Sequence, residues 1–245
     1  MRPPRKLFIL AGQSNMAGRG DLSRVPDYPQ RDRILVYTYG GLWVPGGDPV
    51  GHVPGKATPR LFADRKAGAG PGMAFANRLA ERIPEIEIGL VPAAKGGTYM
   101  DEWKPAFRGY YGGLVRRARR AARQGEIAGL LWYQGENDCT RADLTAKWAA
   151  RFTALVGAVR RDLKSPRLPV IMTILGPNHA PERYPFWNEL VATQCAMPLP
   201  EGVVRVSAND LEGIVGDPHL STDDYVRLGE RYGDAMAELL GTCAG

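Results

Sequence analysis

Short apolar runs alternate along this chain with longer stretches in which apolar residues recur every three or four positions. The short runs lie at Lys6–Ala11, Ile34–Tyr37, Ile86–Pro92, Ile127–Tyr133, Pro169–Leu175 and Val203–Ser207. Their continuous apolar character predicts strands of a parallel sheet covered on both faces. The longer stretches predict helices over Met73–Ile83, Gly112–Gln124, Arg141–Leu163 and Thr222–Leu240. Pro84 cannot continue the first of these. The third carries Leu144, Trp148, Phe152, Leu155, Val159 and Leu163 on one stripe, with Thr140 and Asp143 as a start signal. Ser221 or Thr222 is positioned to cap the last. Strands crossed over by helices make an open α/β sandwich, and such sheets bind ligands outside the carboxyl ends of their strands.

One segment breaks this rhythm. Gly40–Gly70 is rich in Gly, Pro and isolated charges. It predicts a long excursion over the active-site face that contributes substrate contacts rather than core.

Composition narrows the class without changing that picture. At 245 residues with 44% hydrophobic content, the chain is long enough to bury a core as a single domain over residues 1–245. No apolar run approaches the roughly 20 residues needed to cross a bilayer. The basic start Met1–Lys6 and the short apolar run after it resemble a leader, but cleavage there would discard the serine motif described below. The expected compartment is therefore cytoplasmic for the chain as it stands, or extracellular if a leader once preceded it. Cys139, Cys195 and Cys243 are too scattered for a disulfide framework or zinc knuckle, and free thiols are expected. Whether any two of them pair is not decided by the sequence. No metal or cofactor is implied.

The net charge of +6 is concentrated in Arg116, Arg117, Arg119, Arg120 and Arg123. They lie on a helix whose alanines and Leu114 and Val115 supply the buried stripe, and no aromatic platform is interleaved. A solvated helix face is the expectation, with neither nucleic acid nor membrane as partner.

Four polar segments fall at strand ends or just before the last helix. Gly12-Gln13-Ser14-Asn15-Met16 follows the first strand and can expose a serine hydroxyl beside its own amide, though serine needs a base to become nucleophilic. Ala93-Ala94-Lys95-Gly96-Gly97-Thr98 follows the third, and its paired glycines let backbone amides approach a ligand. Trp132-Tyr133-Gln134-Gly135-Glu136-Asn137-Asp138 follows the fourth, where Asn137 can donate to a developing oxyanion. Gly216-Asp217-Pro218-His219 precedes the last helix. Of three histidines, His52 and His179 lie in loops, whereas His219 has a neighbouring acid and a helix to hold it. Taken singly, each segment is also what an ordinary turn contains. Taken together, they gather a nucleophile, amide donors and a base on one sheet edge.

The segment Phe8–Gly20 resembles the first conserved block of the SGNH hydrolases. More narrowly, it is similar to the sialate O-acetylesterase and acetylxylan esterase group, carbohydrate esterase family six. Gly70–Ala76, Gly96-Gly97-Thr98, Leu131–Glu136, His219–Thr222 and Leu228-Gly229 resemble the later blocks of that group in order. The resemblance implies a flavodoxin-like three-layer α/β/α fold and cofactor-free, metal-free hydrolysis of acetyl esters on sugars. Its substrate would be a small-molecule or polysaccharide O-acetylated carbohydrate. It implies Ser14 as nucleophile and His219 as base. It also implies an oxyanion hole from the Ser14 and Gly97 amides and the Asn137 side chain. Gln13, Asn15, Gly96 and Gln134, which flank these positions, are expected to contact substrate.

One departure stands out. The usual final block is Asp-x-x-His, yet Gly216 stands three residues before His219 and Asp217 only two. The acid supporting the base is then Asp217, or Glu136 reaching from the neighbouring strand end. Two other functional readings follow. The same machinery can act on another ester such as O-acetyl sialic acid, a thioester or a lipid, or the disrupted spacing can leave a catalytically impaired carbohydrate-binding protein.

Overall fold

A computed structural model describes residues 5–52, 60–62, 64, 66–106 and 108–242. Strand β1 (Arg5–Gly12) leads into a four-residue helix, α1 (Ser14–Ala17), followed by β2 (Ile34–Tyr37) and β3 (Trp43–Pro45). Helix α2 (Pro71–Arg82), β4 (Glu87–Ala94), α3 (Gly109–Ala121) and β5 (Glu126–Tyr133) come next. The chain ends with α4 (Ala142–Thr145), α5 (Trp148–Asp162), β6 (Val170–Ile174), α6 (Trp187–Ala196), β7 (Val203–Ser207) and α7 (Thr222–Thr242).

The sheet order is β3-β2-β4-β1-β5-β6-β7, parallel throughout except for β3 against β2. The five strands from β4 to β7 follow the 2-1-3-4-5 order of flavodoxin-like sheets, with β2 and β3 added at one edge. β1 is central, and Leu7 through Ala11 are buried because neighbouring strands flank it and helices cover the sheet. The order reverses direction between β1 and β5. The carboxyl ends of these two strands therefore frame the crevice where such folds bind ligands.

The excursion from Gly40 to Gly70 does more than cover the site. β3 extends the sheet, and Val50 and Phe62 are buried in the core, with Phe62 stacked on Tyr39 at 5.8 Å. Its residues 53–59, 63 and 65 lie outside the described residues. The helix expected over Arg141–Leu163 is broken into α4 and α5 at Ala146 and Lys147. Thr140 does not cap it, because its hydroxyl bonds the Asn137 carbonyl in a preceding 3-10 turn. Helix α6 escaped the periodicity because a glutamine occupies its inner face. Gln194 is buried there and accepts from the Leu175 amide at 2.9 Å. Cys139 and Cys195 are free thiols, and Cys243 lies outside the described residues. Among the described residues no helix is long and apolar enough to cross a membrane.

Arg117 corrects the reading of the arginine cluster as a solvated face. It is only 9% exposed. The β2–β4 ladder ends at Val36 and Leu90, and the carbonyls beyond it need other partners. Arg117 supplies them, donating to Pro92 at 2.8 Å, Tyr37 at 2.7 Å and Thr38 at 3.1 Å, while its guanidinium lies over the Tyr37 and Tyr39 rings. Replacing Arg117 with Leu leaves several buried acceptors unsatisfied, at about 1–3 kcal/mol each. Urea melts of Arg117→Leu are expected to show a loss of about 3 kcal/mol or more. A loss below about 1 kcal/mol would contradict this role.

Candidate active site

The site begins where β1 stops. A Cβ on Gly12, whose φ is +131°, would sit 2.0 Å from the Tyr133 carbonyl oxygen, so only glycine lets β1 and β5 stay paired to their ends. The next amide, of Gln13, donates to that same carbonyl at 2.8 Å. Ser14 is thereby turned out of the strand as the first residue of α1, where its N–H has no intrahelical acceptor.

His219 reaches this serine from the far end of the chain. Its Nε2 lies 2.9 Å from Ser14 Oγ. The loop carrying it is folded on itself: the Ile214 amide donates to the His219 carbonyl at 3.1 Å, and the Asp217 amide donates to the Ile214 carbonyl at 3.0 Å. Gly216, at φ +77°, makes the tight reversal. The Asp217 carboxylate then curls back over Pro218, accepting from the His219 amide at 3.0 Å and pairing with the imidazole Nδ1. The two-residue spacing suffices because the turn brings the acid alongside its own histidine. Behind the loop, Ser221 and the buried Asp224 cap α7 reciprocally, and Asp224 also accepts from the Gly213 amide at 3.0 Å.

Burial is the main cause that lowers the His219 pKa from its ordinary 6.5. The Asp217 charge opposes that shift, while Arg19 and Arg183 add to it. An imidazole in this state is neutral at pH 7, with Nε2 open to accept the serine proton.

Glu136 does not touch the imidazole. It is buried, and its Oε1 accepts from Asn15 Nδ2 at 2.6 Å. Burial pushes its pKa up to about 7. Asn137 and Gly97 do meet: Asn137 Nδ2 donates to the Gly97 carbonyl at 2.5 Å, which spends one of its two amide hydrogens. Gly97 itself is exposed.

Three of the residues expected to contact substrate are buried and hydrogen-bonded within the protein. Gln13, Asn15 and Gln134 are at most 2% exposed, and their side-chain hydrogen bonds run to protein groups. Gln134 donates to Asp138 at 2.5 Å and Thr98 at 3.1 Å and accepts from Trp148 at 2.9 Å. Asp138 in turn accepts from the Met100 amide at 2.9 Å, tying the β5 end to the loop after β4. Gly96 is half-buried, and a Cβ there would come within 2.3 Å of the Arg19 guanidinium.

Arg19 is the group that motif reading passed over, although it stands inside the first block. It pairs with Asp64 at 2.7 Å, both side chains being little exposed. Its only sequence signal was an arginine between two glycines. Among the described residues no group of three or more His, Cys, Asp or Glu side chains could hold a metal ion.

Comparison with known proteins identifies the family and the fold. Residues 4–238 match the family described as carbohydrate esterase, sialic acid-specific acetylesterase. The chain is 31% identical over 243 residues to the probable carbohydrate esterase At4g34215 of Arabidopsis thaliana, covering 93% of this chain and 88% of that protein. The crystal structure of that Arabidopsis protein superposes with a TM-score of 0.80 at 30% identity, covering 96% of this chain and 99% of the other. NanS shares the fold at TM-score 0.68 and 20% identity, with 99% of each chain covered. So does XAC1771, a carbohydrate acetylesterase from Xanthomonas citri, at 0.66 and 19%, covering 98% of this chain and 56% of that one. A family match spanning nearly the whole chain, beside a serine, a histidine and a carboxylate that meet on the sheet edge, leads to one conclusion: this protein belongs to the sialic acid-specific acetylesterase family of carbohydrate esterases.

Proposed function

We propose that the enzyme hydrolyses acetyl esters on carbohydrate hydroxyls through an acyl-enzyme at Ser14. The observation that carries this reading is the continuous line from Ser14 Oγ to His219 Nε2, at 2.9 Å, and from His219 Nδ1 to the Asp217 carboxylate. Ser14 Oγ attacks the acetyl carbonyl and passes its proton to His219 Nε2. Asp217 holds the tautomer in which Nδ1 carries the other proton, and it stabilises the imidazolium as it forms. The oxyanion is received by the Ser14 and Gly97 amides and the remaining Asn137 amide hydrogen. The sugar alkoxide leaves with the proton from His219. Water then attacks the acetyl-serine and gives a proton to the same nitrogen; the bond from Ser14 Oγ to the acyl carbon breaks, His219 returns the proton to Ser14 Oγ, and acetate departs.

The acid at Asp217 also speaks against a catalytically impaired binding protein, since the altered spacing does not cost the histidine its partner. The acetyl group is favoured by the family's own description and by the carbohydrate acetylesterase of Xanthomonas citri.

Ser14→Ala is expected to lower p-nitrophenyl acetate turnover by at least about a thousandfold with an unchanged circular dichroism spectrum. Retained turnover in a clean preparation would refute the mechanism. Asp217→Asn is expected to lower kcat by about tenfold or more, and equal activity would remove Asp217 from the triad. The pH profile follows from the neutral base. Because the folded pKa of His219 lies below 6.5, kcat/KM should rise from acid to a plateau at neutral pH, with half-maximum below 6.5. A midpoint above about 7 would mean that another group is titrating. Acetate release from acetylated xylan, acetylated monosaccharides and O-acetyl sialic acid, measured side by side, identifies the sugar.

A further inference from the structure

The residue after the nucleophile has no freedom left. Asn15 is fully buried, and its amide can make two donor and two acceptor bonds. All four positions are filled. Nδ2 donates to Glu136 Oε1 at 2.6 Å and to the Pro218 carbonyl at 3.0 Å. Oδ1 accepts from the Leu220 amide at 3.3 Å and from the Tyr225 hydroxyl at 2.6 Å. Pro218 and Leu220 are the two residues on either side of His219. Asn15 therefore grips the histidine loop on both flanks of the base, from the position adjoining Ser14.

The loop's other hydrogen bonds near the base are internal to it, while Leu220 is buried in the core, the Gly213 amide is held by Asp224 and Thr222 donates to the Asp21 carbonyl at 3.2 Å. Asn15 is thus the side chain that ties both residues flanking the base directly to the segment carrying Ser14. Its orientation in turn depends on Glu136. Flipping the amide would turn Oδ1 toward two acceptors, Glu136 Oε1 and the Pro218 carbonyl, and turn the amino group toward the Leu220 N–H. Glu136 serves this purpose whether or not it is protonated, because Oε1 can accept in either state.

We infer that Asn15 and Glu136 are positioning residues that hold His219 at hydrogen-bonding distance from Ser14, with Glu136 acting on Asn15 and not on the imidazole. This rests on the proposed Ser14–His219 mechanism. A displacement of the base by about 1 Å can cost on the order of a hundredfold in rate without changing substrate binding.

The test is steady-state kinetics on three variants, normalised to the folded fraction by circular dichroism. Asn15→Asp keeps the shape but replaces the donor with a carboxylate oxygen facing Glu136 and Pro218. It is expected to lower kcat by about tenfold or more with KM within about twofold. Glu136→Gln still presents an oxygen to Asn15 and should keep kcat within about threefold of the parent, whereas Glu136→Met should lose about tenfold or more. Parental kcat in Asn15→Asp, or equal losses in Glu136→Gln and Glu136→Met, would overturn the inference. Should Asn15→Asp fail to fold, the Glu136 pair decides alone, and parental kcat in Glu136→Met overturns it. An active Ser14→Ala enzyme refutes the mechanism itself. An inactive Ser14→Ala enzyme beside a fully active Asn15→Asp enzyme refutes only the positioning role.

Discussion

A hydrogen bond between residues 205 positions apart, Ser14 Oγ to His219 Nε2, is what the rest of this architecture serves. Neither partner lies in regular sheet. Ser14 opens the four-residue helix α1 and His219 sits in a loop, and such short segments hold a geometry only where their backbone and polar groups are tied to rigid elements. On the serine side, the tie is the β1–β5 pair, closed to its last residue by Gly12 against Tyr133. On the histidine side, it is the capped start of α7, with Asp224 holding both Ser221 and Gly213. Asn15 joins the two.

Polar side chains at the carboxyl ends of buried strands carry a desolvation cost unless every group finds a partner. Here Gln134, Asp138, Thr98, Trp103 and Trp148 satisfy one another across β5, the turn after β4 and α5. That network ties the segments carrying Gly97 and Asn137 to the end of β5. Arg117 does the same for the carbonyls of Tyr37, Thr38 and Pro92 at the other edge. Both devices bury charged or polar groups to hold backbone that the sheet ladder cannot.

Much of this was legible in the residues because two periodicities are strong. The strand positions and the order of helices follow from apolar spacing, and the four polar segments fall where sheet topology gathers them. What was not legible depends on where side chains turn. Gln13, Asn15 and Gln134 look like ligand-facing groups in sequence, yet all three point into protein. Arg117 looks like one of several surface arginines, and nothing local marks it as the buried one. The spacing of Asp217 suggested a defect, because a motif read as a distance along the chain ignores the reversal at Gly216. Helix α6 was hidden by Gln194, a polar residue on a buried face.

The account stands on Ser14 being an activated nucleophile. Treatment with a fluorophosphonate, followed by peptide mass mapping, tests that most directly. The account predicts a single stoichiometric adduct on Ser14, formed slowly at acid pH and faster as His219 becomes neutral. An unlabelled protein, or an adduct carried on any other residue, would contradict it.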